Sequence, residues 1–87
     1  MKYAVKDPKQ TALYRGRTDE RTGLEILAVG EKVTLEASRE AVKRWCALKR
    51  FNLTREVFDT PTQRTFFYTN ARRFFLYDSK RNMLLSD

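Results

Sequence analysis

Residues 64–77, Arg64-Thr65-Phe66-Phe67-Tyr68-Thr69-Asn70-Ala71-Arg72-Arg73-Phe74-Phe75-Leu76-Tyr77, hold six aromatics and three arginines in two short runs around Asn70-Ala71. Aromatic residues favour the pleated, half-buried surface of a strand, and a short polar break between two such runs is the mark of a hairpin. This stretch therefore reads as a β-hairpin with rings on both faces. A small domain needs one apolar sheet face for its core, so a second ring-bearing face that also carries arginines is a candidate contact surface.

A two-residue Asn70-Ala71 loop sets a register in which Phe66 faces Phe75, Tyr68 faces Arg73 and Arg64 faces Tyr77. Alternation then places Arg64, Phe66, Tyr68, Arg73, Phe75 and Tyr77 on one face, and Thr65, Phe67, Thr69, Arg72, Phe74 and Leu76 on the other. The first set puts guanidinium groups beside ring planes, as a platform for stacked bases and phosphates would. The competing reading buries Phe66 and Phe75 beneath a helix as core, with Phe67, Phe74 and Leu76 covered by the N-terminal strands or by a second copy of the chain.

Upstream, Lys2–Lys6 and Thr11–Arg15 read as short strands, followed by a polar loop at Gly16–Gly23. Leu24–Val29 and Lys32–Glu36 alternate around Gly30-Glu31 and read as a second hairpin. Ser38 has the chemistry of an N-cap, and Arg39 to Phe51 follow as a helix with Ala41, Val42, Trp45 and Leu48 on its apolar stripe and Asn52 as C-cap. The opposite side carries Arg39, Lys43 and Arg50, with Arg44 nearby, a ridge that serves either as solvated surface or as a phosphate contact. Strands at Leu53–Phe58, Gln63–Thr69, Arg72–Tyr77 and Asn82–Leu85 complete a meander, with Lys80-Arg81 on an exposed turn. A helix over residues 71–84 is the alternative, and its apolar spacing is poor beyond Phe75.

The 87 residues make one domain, 1–87, able to fold without metal or disulfide. Net charge is +7, and it is uneven: residues 1–37 hold 7 basic and 6 acidic side chains, residues 38–81 hold 11 and 4. Nine of the eleven aromatics fall between Trp45 and Tyr77, so charge and stacking surface coincide, as they do in nucleic-acid binders. The sign of the charge argues against mimicry of DNA.

Histidine is absent and Cys46 is the single cysteine, which removes the usual zinc sets, an internal disulfide and histidine-dependent nucleophilic catalysis. No phosphate-cradling glycine loop or dinucleotide fingerprint is present, and Asp19-Glu20 reads as ordinary surface acid. No segment approaches the roughly 20 apolar residues of a membrane span, and no secretory leader is read at the N-terminus, which points to the cytoplasm or nucleoid. In size and charge the chain resembles small toxins that cleave messenger RNA at the ribosome without histidine. Those follow their first strand with a long helical pair, whereas Asp7 to Gly23 contains Pro8, Gly16 and few apolar residues.

The expectation is an α+β domain, an antiparallel sheet of five to six strands packed against one main helix (39–51) with a C-terminal β-meander. The expected function is non-enzymatic nucleic-acid binding of low sequence specificity, single strands favoured, through Arg64, Phe66, Tyr68, Arg73, Phe75 and Tyr77 with Lys43, Arg50 and Arg55. No cofactor, metal or membrane is expected, and a homodimer fits either binding reading. The alternative is a small regulator or inhibitor that docks the same basic-aromatic face on an acidic protein surface; a toxin-like ribonuclease ranks third.

Overall fold

In the computed structural model, which describes residues 12–13 and 17–87, seven elements follow one another: β1 (Ala12–Leu13), β2 (Glu25–Val29), α1 (Leu35–Lys49), β3 (Leu53–Asp59), β4 (Arg64–Thr69), β5 (Phe74–Asp78) and β6 (Met83–Ser86). The strand expected at Lys2–Lys6 lies outside the described residues. All pairings are antiparallel, in the order β1-β2-β6-β5-β4-β3. The fold is α+β with a C-terminal meander, β3 to β6, whose last strand returns to pair with β2.

The helix begins earlier than the apolar spacing suggests. Thr34 takes extended backbone and its Oγ1 accepts the N–H of Ala37 at 3.1 Å, satisfying one of the free donors at the helix start, with Glu36 in the positive first turn. This corrects the second hairpin: Leu24–Val29 forms β2, but Lys32–Glu36 becomes a turn, a cap and the first helical residues. Gly30, at φ 144°, turns the chain out of β2. Ser38 is then inside the helix, fully buried, and its hydroxyl has no hydrogen-bond partner among the described residues.

At the other end the chain reverses at Arg50 (φ 63°), whose N–H donates to Ala47 O while the Phe51 N–H donates to Cys46 O at 2.8 Å. These bonds close the last helical turn in the way a left-handed glycine usually does, and here an arginine occupies that position. Asn52 is therefore not the cap. Its backbone latches to the hairpin instead, donating N–H to Asn70 Oδ1 at 3.0 Å and accepting from Asn70 N–H at 3.1 Å.

Helix residues Ala41, Val42, Trp45 and Cys46 pack on Ala28, Phe67, Phe75, Tyr77 and Leu84, with Val33 closing the cluster. Burying a large apolar side chain in such a layer contributes about 1.5–3 kcal/mol. Cys46 takes the place on the buried stripe expected for Leu48, which is 65% exposed. On the opposite face of the sheet Ile26, Leu76, Met83 and Leu85 form a second cluster, with Leu24, Val29 and Phe66 against it. Both faces of the central strands are thus apolar, which explains why β5 and β6 read as continuous hydrophobic runs.

Candidate functional site

The aromatic hairpin has a different register from the one its turn suggests. Phe67 pairs with Phe75, Phe66 with Leu76 and Tyr68 with Phe74. The Thr69 N–H donates to Arg73 O at 3.2 Å, leaving Asn70, Ala71 and Arg72 as a three-residue loop in which Arg72 is left-handed at φ 59°. The Thr69 hydroxyl braces it, donating to Arg73 O at 2.7 Å and accepting from the Ala71 N–H at 3.2 Å. One extra loop residue turns every β5 side chain to the other face relative to β4.

Phe75 and Tyr77 consequently leave the expected platform and enter the core beneath α1, where Phe75 meets Trp45 edge-on at 5.3 Å between ring centroids. Burial, reinforced by the Asp78 charge, pushes the Tyr77 hydroxyl pKa up, so it stays neutral. Phe74, which the pattern assigned to the other face, replaces them. Phe66, Tyr68 and Phe74 form a half-buried triad on the face away from the helix, with centroids 6.1–6.2 Å apart and Phe66 stacked on Tyr68 at 11°. Arg55, opposite Tyr68 on β3, lays its guanidinium 4.6 Å from the Tyr68 centroid.

On the helix side of the same hairpin end lies a cleft of about 550 Å³ lined by Trp45, Lys49, Phe51, Ala71, Arg72, Arg73 and Asp87. Phe51 is 37% exposed and packs on Trp45 at 5.6 Å. Arg73 sits 5.5 Å from the Trp45 ring, held by Ser86 Oγ at 3.3 Å, Asp87 O at 3.2 Å and the Asp87 carboxylate at 3.6 Å. Asp87 is the one acid in this lining among the described residues. Since Tyr68 and Phe74 are the last strand pair before the loop, triad and cleft lie at one end of the sheet, on its two faces, separated by the 70–72 tip. Lys49, Arg50, Arg55, Arg72 and Arg73 gather there.

The nine expected residues therefore divide. Phe66, Tyr68 and Arg55 share the open sheet face; Arg73 lines the cleft and Arg50 flanks it; Phe75 and Tyr77 are core. Lys43 is exposed on the helix beside Arg39, and Arg39 makes a two-pronged contact to Glu56 at 2.9 and 2.7 Å, which lowers the Glu56 pKa. Arg64 pairs with Asp78 at 3.4 Å. Asp78 belongs to a clamp that local patterning missed: Arg81 reaches Asp78 at 3.0 Å and both oxygens of Asp19 at 2.8 and 3.0 Å. Arg81 is thus a tie between the 17–24 loop and the β5–β6 turn, not surface decoration, and Asp19 is buried, not an ordinary surface acid. Hydrogen bonds from Arg81 and Thr22 hold the Asp19 carboxyl far below the usual range despite its burial. For Asp78 burial opposes ionisation, but the Arg81 side chain and the Arg81 and Lys80 amides outweigh it and lower its pKa.

Burial also raises the Cys46 thiol, which leaves it a packing residue without thiolate character. Among the described residues no group of histidine, cysteine and acidic side chains could hold a metal ion, and no helix is long and apolar enough to cross a membrane. Comparison with protein-family models, curated proteins and solved structures finds no match to this chain.

Proposed function

We propose that the protein binds single-stranded nucleic acid with little sequence preference, at the tip of the β4–β5 hairpin, and that it acts by binding rather than by catalysis. The observation that carries this reading is the meeting of Lys49, Arg50, Arg55, Arg72 and Arg73 with the Phe66–Tyr68–Phe74 triad and Phe51 at one end of the sheet. Bases have flat faces that stack on rings whatever their identity, at about 1–3 kcal/mol per base, and phosphates supply the counter-charge for guanidinium groups. A strand laid over the tip would set bases on Tyr68 and Phe74 beside Arg55, and its backbone against Arg72, Arg73 and Lys49. Duplexes hold their bases stacked inside and cannot use such rings, which favours single strands.

The test is fluorescence anisotropy with short single-stranded and duplex oligonucleotides at about 50 and 200 mM salt, where loss of several phosphate contacts weakens binding at least tenfold. Tyr68→Ala and Phe74→Ala each cost about 1–3 kcal/mol of binding if they carry a base. Lys49→Gln, on an exposed side chain, reduces the salt slope by about one charge with no loss of folding. Binding that is equal for duplex and single strand, or unchanged in both ring variants, contradicts the reading.

A further inference from the structure

β3 is the last strand of the sheet: one edge pairs with β4, and among the described residues no strand pairs with the other. The direction of its backbone groups follows from its neighbours. The Thr69 N–H points to β5 and the Tyr68 C=O accepts the Thr54 hydroxyl on the β3 side, so Arg64, Phe66 and Tyr68 present their backbone to β3. Their partners Asp59, Val57 and Arg55 face inward in return, and Glu56 and Phe58 point their N–H and C=O groups outward from the edge.

Side chains along this edge are unusually apolar for an outer strand, with Val57 39% and Phe58 54% exposed. The bulge at Thr54 confines regular pairing to Arg55–Asp59. Reversing that segment, Arg55-Glu56-Val57-Phe58-Asp59, against itself about Val57 sets Arg55 against Asp59 at both ends, with Glu56 beside the uncharged Phe58. We propose that β3 is a homodimer edge, pairing antiparallel with β3 of a second copy about a two-fold axis at Val57. Glu56 and Phe58 of each chain then exchange hydrogen bonds with Phe58 and Glu56 of the other, Val57 meets Val57, and Arg55 lies opposite Asp59 twice. The neighbouring registers are poorer: moving the axis to Glu56 sets like charges directly opposite, and moving it to Phe58 aligns Arg55 with Pro61, beyond the strand end and without an N–H.

Arg55 suits this role because it makes no ion pair among the described residues, and Asp59 accepts hydrogen bonds from Thr62 through Oδ2 alone. A two-fold axis normal to the sheet keeps both ring triads on one face of the joined sheet. A five-residue ladder is a small interface, so association is weak and concentration-dependent.

Sedimentation equilibrium from about 10 μM to 1 mM tests the proposal, since an interface this small dissociates in that range. The weight-average mass should rise toward that of two chains. Val57→Lys, which sets two ammonium groups on the axis, weakens association about tenfold, and Phe58→Pro, which deletes an outward N–H, weakens it further. Circular dichroism confirms that both variants stay folded. Hydrogen exchange gives an independent readout that needs no variant: the Glu56 and Phe58 amides should slow as concentration rises, whereas those of Arg55 and Val57, bonded to β4, should not change. A chain monomeric at 1 mM, association untouched by both substitutions, or Glu56 and Phe58 amides insensitive to concentration overturns it.

Discussion

Thr34 and Ser38 stand four residues apart with the same functional group and opposite effects on stability. The Thr34 hydroxyl satisfies a free donor at the start of α1, so Thr34→Ala should cost about 1 kcal/mol in urea denaturation. The Ser38 hydroxyl is buried without a partner among the described residues, so Ser38→Ala should gain up to about 1 kcal/mol, the reverse of what a cap would show. The Arg81 clamp is the most consequential single side chain. Arg81→Met leaves the buried Asp19 carboxylate without its ion-pair partner and Asp78 with Arg64 alone, and should cost about 3 kcal/mol. Both carboxyls have folded pKa values below their unfolded ones, so on acidification the unfolded chain takes up protons first. Their contribution is complete above the unfolded value of about pH 4 and is lost as pH falls through the lower folded values. Melting temperature followed from about pH 5 to pH 2 should therefore fall steeply in the wild type and more gently in Arg81→Met. None of this was legible locally: the Arg81–Asp19 contact spans 62 residues, and a Lys-Arg pair at a turn looks like any solvated turn.

At the scale of elements, most strand and helix identities were legible because aromatic and β-branched runs and the Ala41–Val42–Trp45 stripe are strong period signals, whereas Lys32–Glu36 alternates like a strand and is a turn, a cap and the helix start. The β4–β5 register was not. A three-residue loop needs a left-handed residue, which glycine or asparagine would have announced, and Arg72 carries no such signature. That one residue decides which rings are core and which are surface. Phe75→Ala should cost about 3–5 kcal/mol, whereas Phe66→Ala, half-buried on the open face, should cost about 1–2 kcal/mol. A two-residue loop would put both rings on one face and make the two losses alike, so thermal denaturation of the pair tests the register directly. The left-handed Arg50 after α1 gives a further check. Arg50→Gly removes backbone strain at the price of a more flexible unfolded chain, and should leave stability level or raise it by up to about 1 kcal/mol.

For the molecule as a whole, the coincidence of basic charge and aromatic residues after residue 38 was visible in composition, and the fold brings Lys49, Arg55, Arg72 and Arg73 to the hairpin-tip end of the sheet while Arg39, Arg64 and Arg81 lie elsewhere. What composition could not convey is sorting: Arg39, Arg64 and Arg81 are neutralised by Glu56, Asp78 and Asp19, whereas Lys49, Arg50, Arg55 and Arg72 make no ion pair among the described residues. Net charge of +7 thus overstates the reach of the field and understates its local density at the hairpin tip. The most direct measurement is a nuclear magnetic resonance titration of the labelled protein with a short single-stranded oligonucleotide at low salt. The account predicts shifts concentrated on the ring signals of Phe66, Tyr68 and Phe74 and on the amides of Arg55 and residues 70–73, with the Asp19–Arg81 end of the sheet unmoved. Perturbations confined to the α1 ridge around Lys43, or none at all, would contradict it.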